Sequence, residues 1–433
     1  MRTAKLEVKM TPVDTDVRIF AASSPGKLLA MGMLVVLICL TAGLTTSDEV
    51  GGRQDALRTL LADSEPDAYS AHSLYTALSV ADAAAGTAFI AGGIEPQPVR
   101  DRYSQAVGEA AAELVARSGH SGEPADGPDT TLRTGIATGL PVYTGLVETA
   151  RTANRSGYPV GAAYLSEASN QMQTVLLPMA GDLHEHRSAA VVQAQRDHVR
   201  PPWKAILLLT VALLALLWAQ RELAHRWHRT LNPGLLTASV LLLALFAWTV
   251  LAGSISAVAM VHGRDQGAVP GSRLTESRIL VQQARAAETV KLVRRDATGD
   301  YDRTYAAAVT RLGELLDGYP PPAPAADDIA AARAALERWR AAHQRMNDTL
   351  NRGDWVGAAV VATGPAAADS AAQVEALDTA LEHAVTETRD RLRGEVATAL
   401  RVLDLLAPGA YIIGIMAAVC TVLGLWPRLR EYR

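Results

Sequence analysis

Two clusters of arginine, aromatic and turn-forming residues are the strongest candidates for binding chemistry in this chain. A guanidinium group can hold a carboxylate through two parallel hydrogen bonds, and tyrosine or tryptophan beside arginine gives an efficient contact surface. The pattern therefore predicts a docking site for a protein partner or a small anion. The first cluster comprises Arg100, Arg102, Tyr103, Asn154, Arg155 and Tyr158, and the second comprises Tyr301, Arg303, Tyr305, Asn351, Arg352 and Trp355.

Helix capping and turn formation are the alternative interpretation of these two clusters. Asp101 and Asp302 stand where helices are expected to start, and the Asn-Arg segments at Asn154 and Asn351 stand where helices are expected to end. Capping accounts well for the Asp, Asn and Gly residues, but less well for the repeated arginines and aromatics. Both interpretations remain open at the level of sequence.

The sequence shows no recognisable catalytic signature. His184 and His186 could suggest a metal site, but residues at i and i+2 of a helix point to different sides, so a solvated helix face is expected. No nucleophile elbow, phosphate-binding loop, zinc-protease helix or kinase signature occurs. We therefore expect neither an enzyme nor a cofactor. The net charge of −4, without a basic stripe, gives no indication of nucleic-acid binding.

The two clusters occupy equivalent places in an internal repeat. The segment AAGTA at 84–88 aligns with AAETV at 286–290, and NRSGYPVGAA at 154–163 aligns with NRGDWVGAA at 351–359. A repeat of this length indicates one structural unit that is used twice. In this chain the unit is a membrane helix, a polar helical segment and a second membrane helix.

Four apolar stretches are close to or above the length of about 17–20 residues that a bilayer core demands. Their apolar cores contain no Asp, Glu, Lys, Arg or His, so a transport path is not expected, since such paths usually keep polar groups at membrane depth. The predicted segments are a cytoplasmic leader 1–27, span 28–46, exported bundle 47–203, span 204–220, cytoplasmic loop 221–233, span 234–261, exported bundle 262–408, span 409–426 and cytoplasmic tail 427–433.

Basic residues beside the spans predict the orientation of the chain. The loop at 221–230 and the tail at 427–433 each carry three arginines against one glutamate. The positive-inside rule then places both termini and the middle loop in the cytoplasm, as in a multi-pass protein of the plasma membrane. A signal that crosses the membrane would have to be received by a cytosolic protein. The candidates for that relay are Arg221, Arg226, Trp227 and Arg229.

The exported segments are predicted to be all-helical, because Leu, Val and Ala recur at three- and four-residue spacing. Chain breakers divide each segment into four helices, which in the first are expected near 68–91, 99–117, 130–153 and 160–177. The fold class is therefore an all-α membrane protein with four transmembrane helices and two tandem extracytoplasmic four-helix bundles related by internal duplication. In an up-down bundle both residue clusters fall at the tip far from the membrane.

This plan resembles the GlnX-type membrane proteins of actinobacteria in architecture, length and composition. The resemblance implies a relay from a solute-binding lipoprotein that carries acidic amino acids to the cytosolic serine/threonine kinase PknG. The bundles also resemble the four-helix-bundle sensor modules of bacterial chemoreceptors. A non-enzymatic sensor or adaptor is therefore expected, with membrane lipid, a solute-binding lipoprotein and a cytosolic kinase as partners. The alternative is a structural membrane scaffold of an envelope complex.

Overall fold

The computed structural model describes residues 24–91, 95, 97–116, 127–198, 202–227, 232–294 and 299–430. All regular structure in these residues is helical, as the hydrophobic periodicity predicts. The helices are α1 (Ser24–Thr59), α2 (Glu65–Ala91), α3 (Gln97–Ala116), α4 (Pro128–Arg155), α5 (Val160–Gln171), α6 (Leu177–His198), α7 (Trp203–Trp227), α8 (Pro233–Gly263), α9 (Val269–Arg294), α10 (Asp300–Asp317), α11 (Ala326–Asn351), α12 (Trp355–Thr363), α13 (Ser370–Leu403) and α14 (Leu406–Arg430).

Four helical stretches in the described residues are long and apolar enough to cross a membrane, the same number of candidate spans as the sequence predicts. Three of them extend far beyond the length of a bilayer core. The stretches are Leu28–Ile90, Trp203–His225, Pro233–Arg294 and Ser370–Pro427.

The chain divides into two compact units. One comprises Met1–Leu57, His198–Ala259 and Ala397–Arg433, and it holds the predicted spans. The other comprises Arg58–Asp197 and Met260–Val396. Both predicted exported segments therefore contribute to one compact unit, where the sequence analysis expects two bundles. We call this unit the helical unit, and its two parts the first half and the second half.

Each half of the helical unit has its own apolar core. In the first half, Tyr143 and Met172 are fully buried against Leu74 and Leu78 of α2. In the second half, the fully buried Trp339 lies in the same core as Val281 of α9. Helices α2 and α9 also pack on each other.

Gly86 marks a close approach of α2 and α9. A Cβ atom on Gly86 would overlap the Cγ2 methyl of Thr289 and lie 3.6 Å from its Cβ. The Thr289 side chain is held in place because its Oγ1 donates to the carbonyl of Arg285 at 2.9 Å. A side chain at position 86 would therefore push the two halves apart.

Short π-helical turns join a helix with a candidate span to the first helix of each half. Leu60–Ser64 connects α1 to α2, and Arg264–Ala268 connects α8 to α9. A π turn inserts residues without breaking the helix, so each connection remains helical throughout. Such turns occur frequently at functional sites.

Glycines and polar caps organise the unit that holds the spans. A Cβ on Gly43 of α1 would lie 2.7 Å from the Cα of Gly414 in α14, so these two helices approach to backbone contact. Asn232 donates from Nδ2 to the carbonyl of Gly424 at 2.8 Å. The carboxylate of Glu49 accepts a hydrogen bond of 2.7 Å from the backbone N–H of Ala205, which ties α1 to the first turn of α7.

Candidate functional site

A cleft opens between the two halves of the helical unit. It is lined by α2 and α3 from the first half and by α9, α13 and the segment after α12 from the second half, and it encloses about 960 Å³ with its open mouth included. We call it the interface cleft. Its walls are mostly small and apolar, and the polar side chains that line it are Thr87, Arg102, Gln282, Arg285, Thr363 and Glu375.

Arg285 is the most deeply placed charge in the interface cleft, with only 8 % of its surface exposed. Its Nη1 donates to the carbonyl of Ala362 at 3.2 Å, and it lies 3.6 Å from Oε2 of Glu288. Burial lowers the pKa of Arg285, and the positive charge of Arg102 acts in the same direction, while Glu288 opposes both. The cation is thus only partly compensated by protein groups.

The carboxylate oxygens of Glu288 also accept hydrogen bonds from other groups of the second half. Nδ1 of His343 lies 3.0 Å from Oε1, and the hydroxyl of Ser370 donates to the same oxygen at 2.9 Å. The indole N–H of Trp339 points to Oε2 at 3.4 Å. Burial raises the pKa of Glu288, but the His343 hydrogen bond, the charge of Arg285 and the Ser370 hydrogen bond together hold it below its ordinary value.

Arg102 brings a second cation to the interface cleft from the other half. Its Nη1 lies 3.3 Å from Oε2 of Glu375, and both side chains are exposed, at 47 % and 65 %. An exposed ion pair of this kind contributes about 1 kcal/mol or less. Arg102 can therefore exchange Glu375 for another anion at little cost.

A second cavity collects part of the first predicted cluster. Arg100, Asn154 and Arg155 line a space of about 950 Å³ within the first half, together with Glu95 and Arg151. Arg151 pairs with Glu95 at 2.9 Å. Two of the predicted arginines and the asparagine therefore share one surface, and we call this space the tip cavity.

The aromatic residues of the first cluster lie in two different environments. Tyr103 is 5 % exposed and packs beneath Arg151, whose Cζ is 4.2 Å from the ring centroid. Burial raises the pKa of Tyr103 to about 12. Tyr158, in contrast, is 65 % exposed. Tyr103 is thus a core residue, and Tyr158 is available to a partner.

The second cluster is more dispersed. Tyr305 is a core residue whose ring stacks on His343 at 3.6 Å, and Trp355 packs on the small apolar cluster around Met346. Tyr301 packs at the edge of the second-half core. Two exposed arginines of this cluster contact residues close to them in sequence. Arg303 pairs with Asp300, and Arg352 donates to Thr349 Oγ1 at 3.0 Å. Asn351 is also exposed.

The turn interpretation is confirmed at the glycine that follows each Asn-Arg pair. Gly157 and Gly353 have φ values of 71° and 80°, which glycine adopts without the strain that a Cβ would add. Each glycine follows the end of a helix, α4 in the first half and α11 in the second. Capping also holds at Asp354, whose Oδ1 accepts from the N–H of Gly357 at 2.7 Å. Asp302 instead binds Nζ of Lys291 at 2.7 Å.

The remaining predicted residues are placed as follows. Arg221 is exposed near the end of α7, the backbone of Arg226 and Trp227 continues that helix, and Arg229 lies outside the described residues. His184 and His186 have different neighbours, since His184 lies 5.6 Å from the ring of His72 and His186 lies 3.1 Å from Asp129. In the part of the chain that the structure describes, no group of acidic, His and Cys residues could hold a metal ion.

Three polar residues of the interface cleft, Arg285, Gln282 and Glu375, are not among the site residues that the sequence predicts. None belongs to a motif, and charged residues on a long helix are usually solvated. One signal was present: in the alignment of 84–88 with 286–290, Arg285 falls on Ala83. A charged residue that aligns with an alanine in the other copy of the repeat indicates a position whose surroundings differ between the two copies.

Comparison with known proteins gives one match. Residues 56–196, nearly the whole first half of the helical unit, match a family model described as an actinobacterial sensor domain. The match supports an actinobacterial sensor protein and suggests a sensing role for this chain. No curated protein and no solved structure shows a significant match.

Proposed function

We propose that this chain is a non-enzymatic membrane sensor that relays the state of an extracytoplasmic solute to a cytosolic effector. The observation that carries the proposal is the packing of α2 on α9. Each of these helices belongs to a helical stretch that also contains a candidate span, Leu28–Ile90 for α2 and Pro233–Arg294 for α9. A shift of α2 against α9 is therefore continued along helices that reach the membrane.

A ligand can drive this relay only if it binds one arrangement of α2 and α9 better than another. A ligand in the interface cleft would contact both helices, because Thr87 of α2 and Arg285 of α9 both line it. The π turn in each connection gives the helix a local place to adjust its register. Piston, tilt or rotation of one helix against the other would then move the ends of the spans.

The proposal extends to the partners that the resemblance implies. We place both termini and the 221–233 loop in the cytoplasm and the helical unit outside, in the plasma membrane. The exposed tip residues Arg155 and Tyr158, with Arg303 and Arg352 of the second half, offer a surface for a solute-binding lipoprotein. Arg221 and the residues after it would meet a cytosolic serine/threonine kinase. The two halves would descend from one duplicated unit.

A disulfide between α2 and α9 tests the relay. The distance of 3.6 Å between a Cβ on Gly86 and the Cβ of Thr289 lies within the range of about 3.5–4.5 Å for disulfides. The variant Gly86→Cys/Thr289→Cys is built in a full-length chain whose Cys39 and Cys420 are replaced by alanine. We call the disulfide between positions 86 and 289 the lock. Arg221→Cys serves as the reporter, and its maleimide labelling rate is measured in lipid nanodiscs with the lock oxidised or reduced.

The relay predicts that the labelling rate at position 221 changes severalfold when the lock forms. Thr289→Cys alone, with the same reporter, is the matched control and should give the same rate under both conditions. Equal rates in a fully locked protein would contradict the relay. That result would favour the scaffold function, which requires no coupling between the helical unit and the ends of the spans.

A further inference from the structure

We propose that the interface cleft binds a small organic carboxylate, which Arg285 and Arg102 hold from opposite halves of the helical unit. The inference deepens the proposed sensing function and rests on it for its biological meaning. The binding itself is a separate claim, because it can be measured without any relay. The chemistry follows from three features of the cleft.

The first feature is a buried cation with unused donors. A guanidinium has five N–H donors, and Arg285 uses one of them on the carbonyl of Ala362. Its nearest carboxylate is that of Glu288, whose Oε2 lies 3.6 Å away, within ion-pair distance but beyond hydrogen-bond distance. A buried charge requires a compensating partner. A carboxylate in the cleft would complete the hydrogen bonding of Arg285 through charge-assisted bonds.

The second feature is a replaceable anion at the mouth. Glu375 pairs with Arg102 at 3.3 Å in a geometry that is exposed on both sides. The two arginines line the same cleft, and the charge of Arg102 disfavours that of Arg285. Like charges placed together in this way are stabilised by an anion between them. A ligand carboxylate would take that place and release Glu375 to solvent.

The third feature is the size and polarity of the walls. Ala83 and Ala84 of α2 face the cleft together with Ala371 and Ala372 of α13, so room is left for a short carbon chain. The first turn of α13 also brings the positive end of a long helix dipole to the cleft. Apolar walls with a few convergent polar groups are typical of small-molecule sites. They favour an organic acid over a bare inorganic anion.

Equilibrium dialysis of the full-length chain in nanodiscs tests the site, with radiolabelled succinate as the probe and glutamate and phosphate as competitors. Succinate should bind saturably, and Arg102→Ala should weaken its binding at least about tenfold, as expected for loss of a charge-assisted hydrogen bond. Arg285→Gln should weaken it further. Glu375→Gln should tighten it severalfold, because the competing carboxylate of the protein is gone.

Arg100→Ala is the matched control, since Arg100 is also an exposed residue of α3 but lines the tip cavity. It should leave the succinate affinity within about twofold of the original. Should Arg285→Gln fail to fold, the exposed positions Arg102 and Glu375 still decide the outcome. Succinate binding that is equal in the original chain and in Arg102→Ala would overturn the inference. Phosphate that competes as well as glutamate would overturn its restriction to carboxylates.

A failure of this binding test leaves the disulfide experiment on α2 and α9 unaffected. The reverse also holds. If succinate binds saturably but the lock leaves the labelling rate at position 221 unchanged, the chain has the binding site without the relay. The two proposals therefore fail independently.

Discussion

Asp82 gives the clearest quantitative prediction of the structure. It lies on α2 in the first-half core, and its carboxylate accepts from Gln173 Nε2 at 2.9 Å, from Ser169 Oγ at 3.1 Å and from the Tyr143 hydroxyl at 3.5 Å. These donors are neutral, and the described residues place no cation within ion-pair distance of it. Burial therefore outweighs the hydrogen bonds and raises the pKa of Asp82 from 3.8 to about 6.

The perturbation is Asp82→Asn, which removes the charge and keeps the size. Because the folded pKa exceeds the unfolded one, the folded chain binds an extra proton between about pH 4 and pH 6, and stability falls as the pH rises through that window. Each pKa unit corresponds to about 1.36 kcal/mol, so a rise of about two units costs about 3 kcal/mol above pH 6. Asp82→Asn should recover this amount at pH 7.5 and almost none at pH 4.

The assay compares thermal unfolding of the original chain and Asp82→Asn in nanodiscs across pH 4 to 7.5. A gain of about 3 kcal/mol corresponds to roughly 6–12 °C for a unit of this size. Asp101→Asn, an exposed residue of α3, is the control and should show no pH-dependent difference. A difference between Asp82→Asn and the original chain that is the same at every pH would refute the reasoning.

Three further substitutions test packing within the two units. Gly86→Ala should destabilise the helical unit by about 1–3 kcal/mol through overpacking against Thr289. Adding Thr289→Ser should reverse the loss, because serine lacks the Cγ2 methyl that the new Cβ would overlap. Alanine at position 86 is also a better helix former than glycine. Glu65→Gln should cost about 2–3 kcal/mol, since the buried Glu65 carboxylate compensates Arg389. Gly43→Val should separate α1 from α14 and lower the thermal midpoint of the membrane unit. Thermal unfolding in nanodiscs measures all three.

Matched controls exist for the glycine substitutions. Cβ atoms on Gly108 and Gly51 meet nothing within 4 Å, so Gly108→Ala and Gly51→Ala should be neutral or stabilising. If Gly108→Ala destabilised as much as Gly86→Ala, the loss would come from a general effect and not from the α2 and α9 contact. Arg393→Gln is the control for Glu65→Gln, because its side chain is 42 % exposed and its loss should cost less.

The features that repeat along the chain could be predicted from the sequence. The four spans follow from apolar length, the helices follow from three- and four-residue periodicity, and the helix ends at Gly157 and Gly353 follow from turn chemistry. The start of α2 illustrates the error in boundaries, since the prediction of 68 is three residues later than the observed Glu65. Arg100 and Arg155 of the first predicted cluster line one cavity, and their role as a binding site stays a prediction.

The association of the two halves could not be predicted, because it depends on the fit of small residues. The absence of a side chain at Gly86 lets α2 approach Thr289 of α9. A glycine within a helix adds nothing to the hydrophobic periodicity from which packing faces are predicted. Asp82 and Arg285 were overlooked for a related reason. Each is one charged residue among alanines, and a helical pattern alone does not distinguish a buried charge from a solvated one. Which groups surround a charge is decided by tertiary packing.

The most direct test of the account joins its two proposals in one protein. The Arg221→Cys reporter, with Cys39 and Cys420 replaced by alanine, is labelled in nanodiscs over a series of succinate concentrations. We expect a labelling rate that changes saturably, with a midpoint equal to the dissociation constant from dialysis, and in the Arg102→Ala variant a midpoint at least about tenfold higher. Saturable binding of succinate with a constant labelling rate at position 221 would contradict the claim that this cleft is coupled to the ends of the spans.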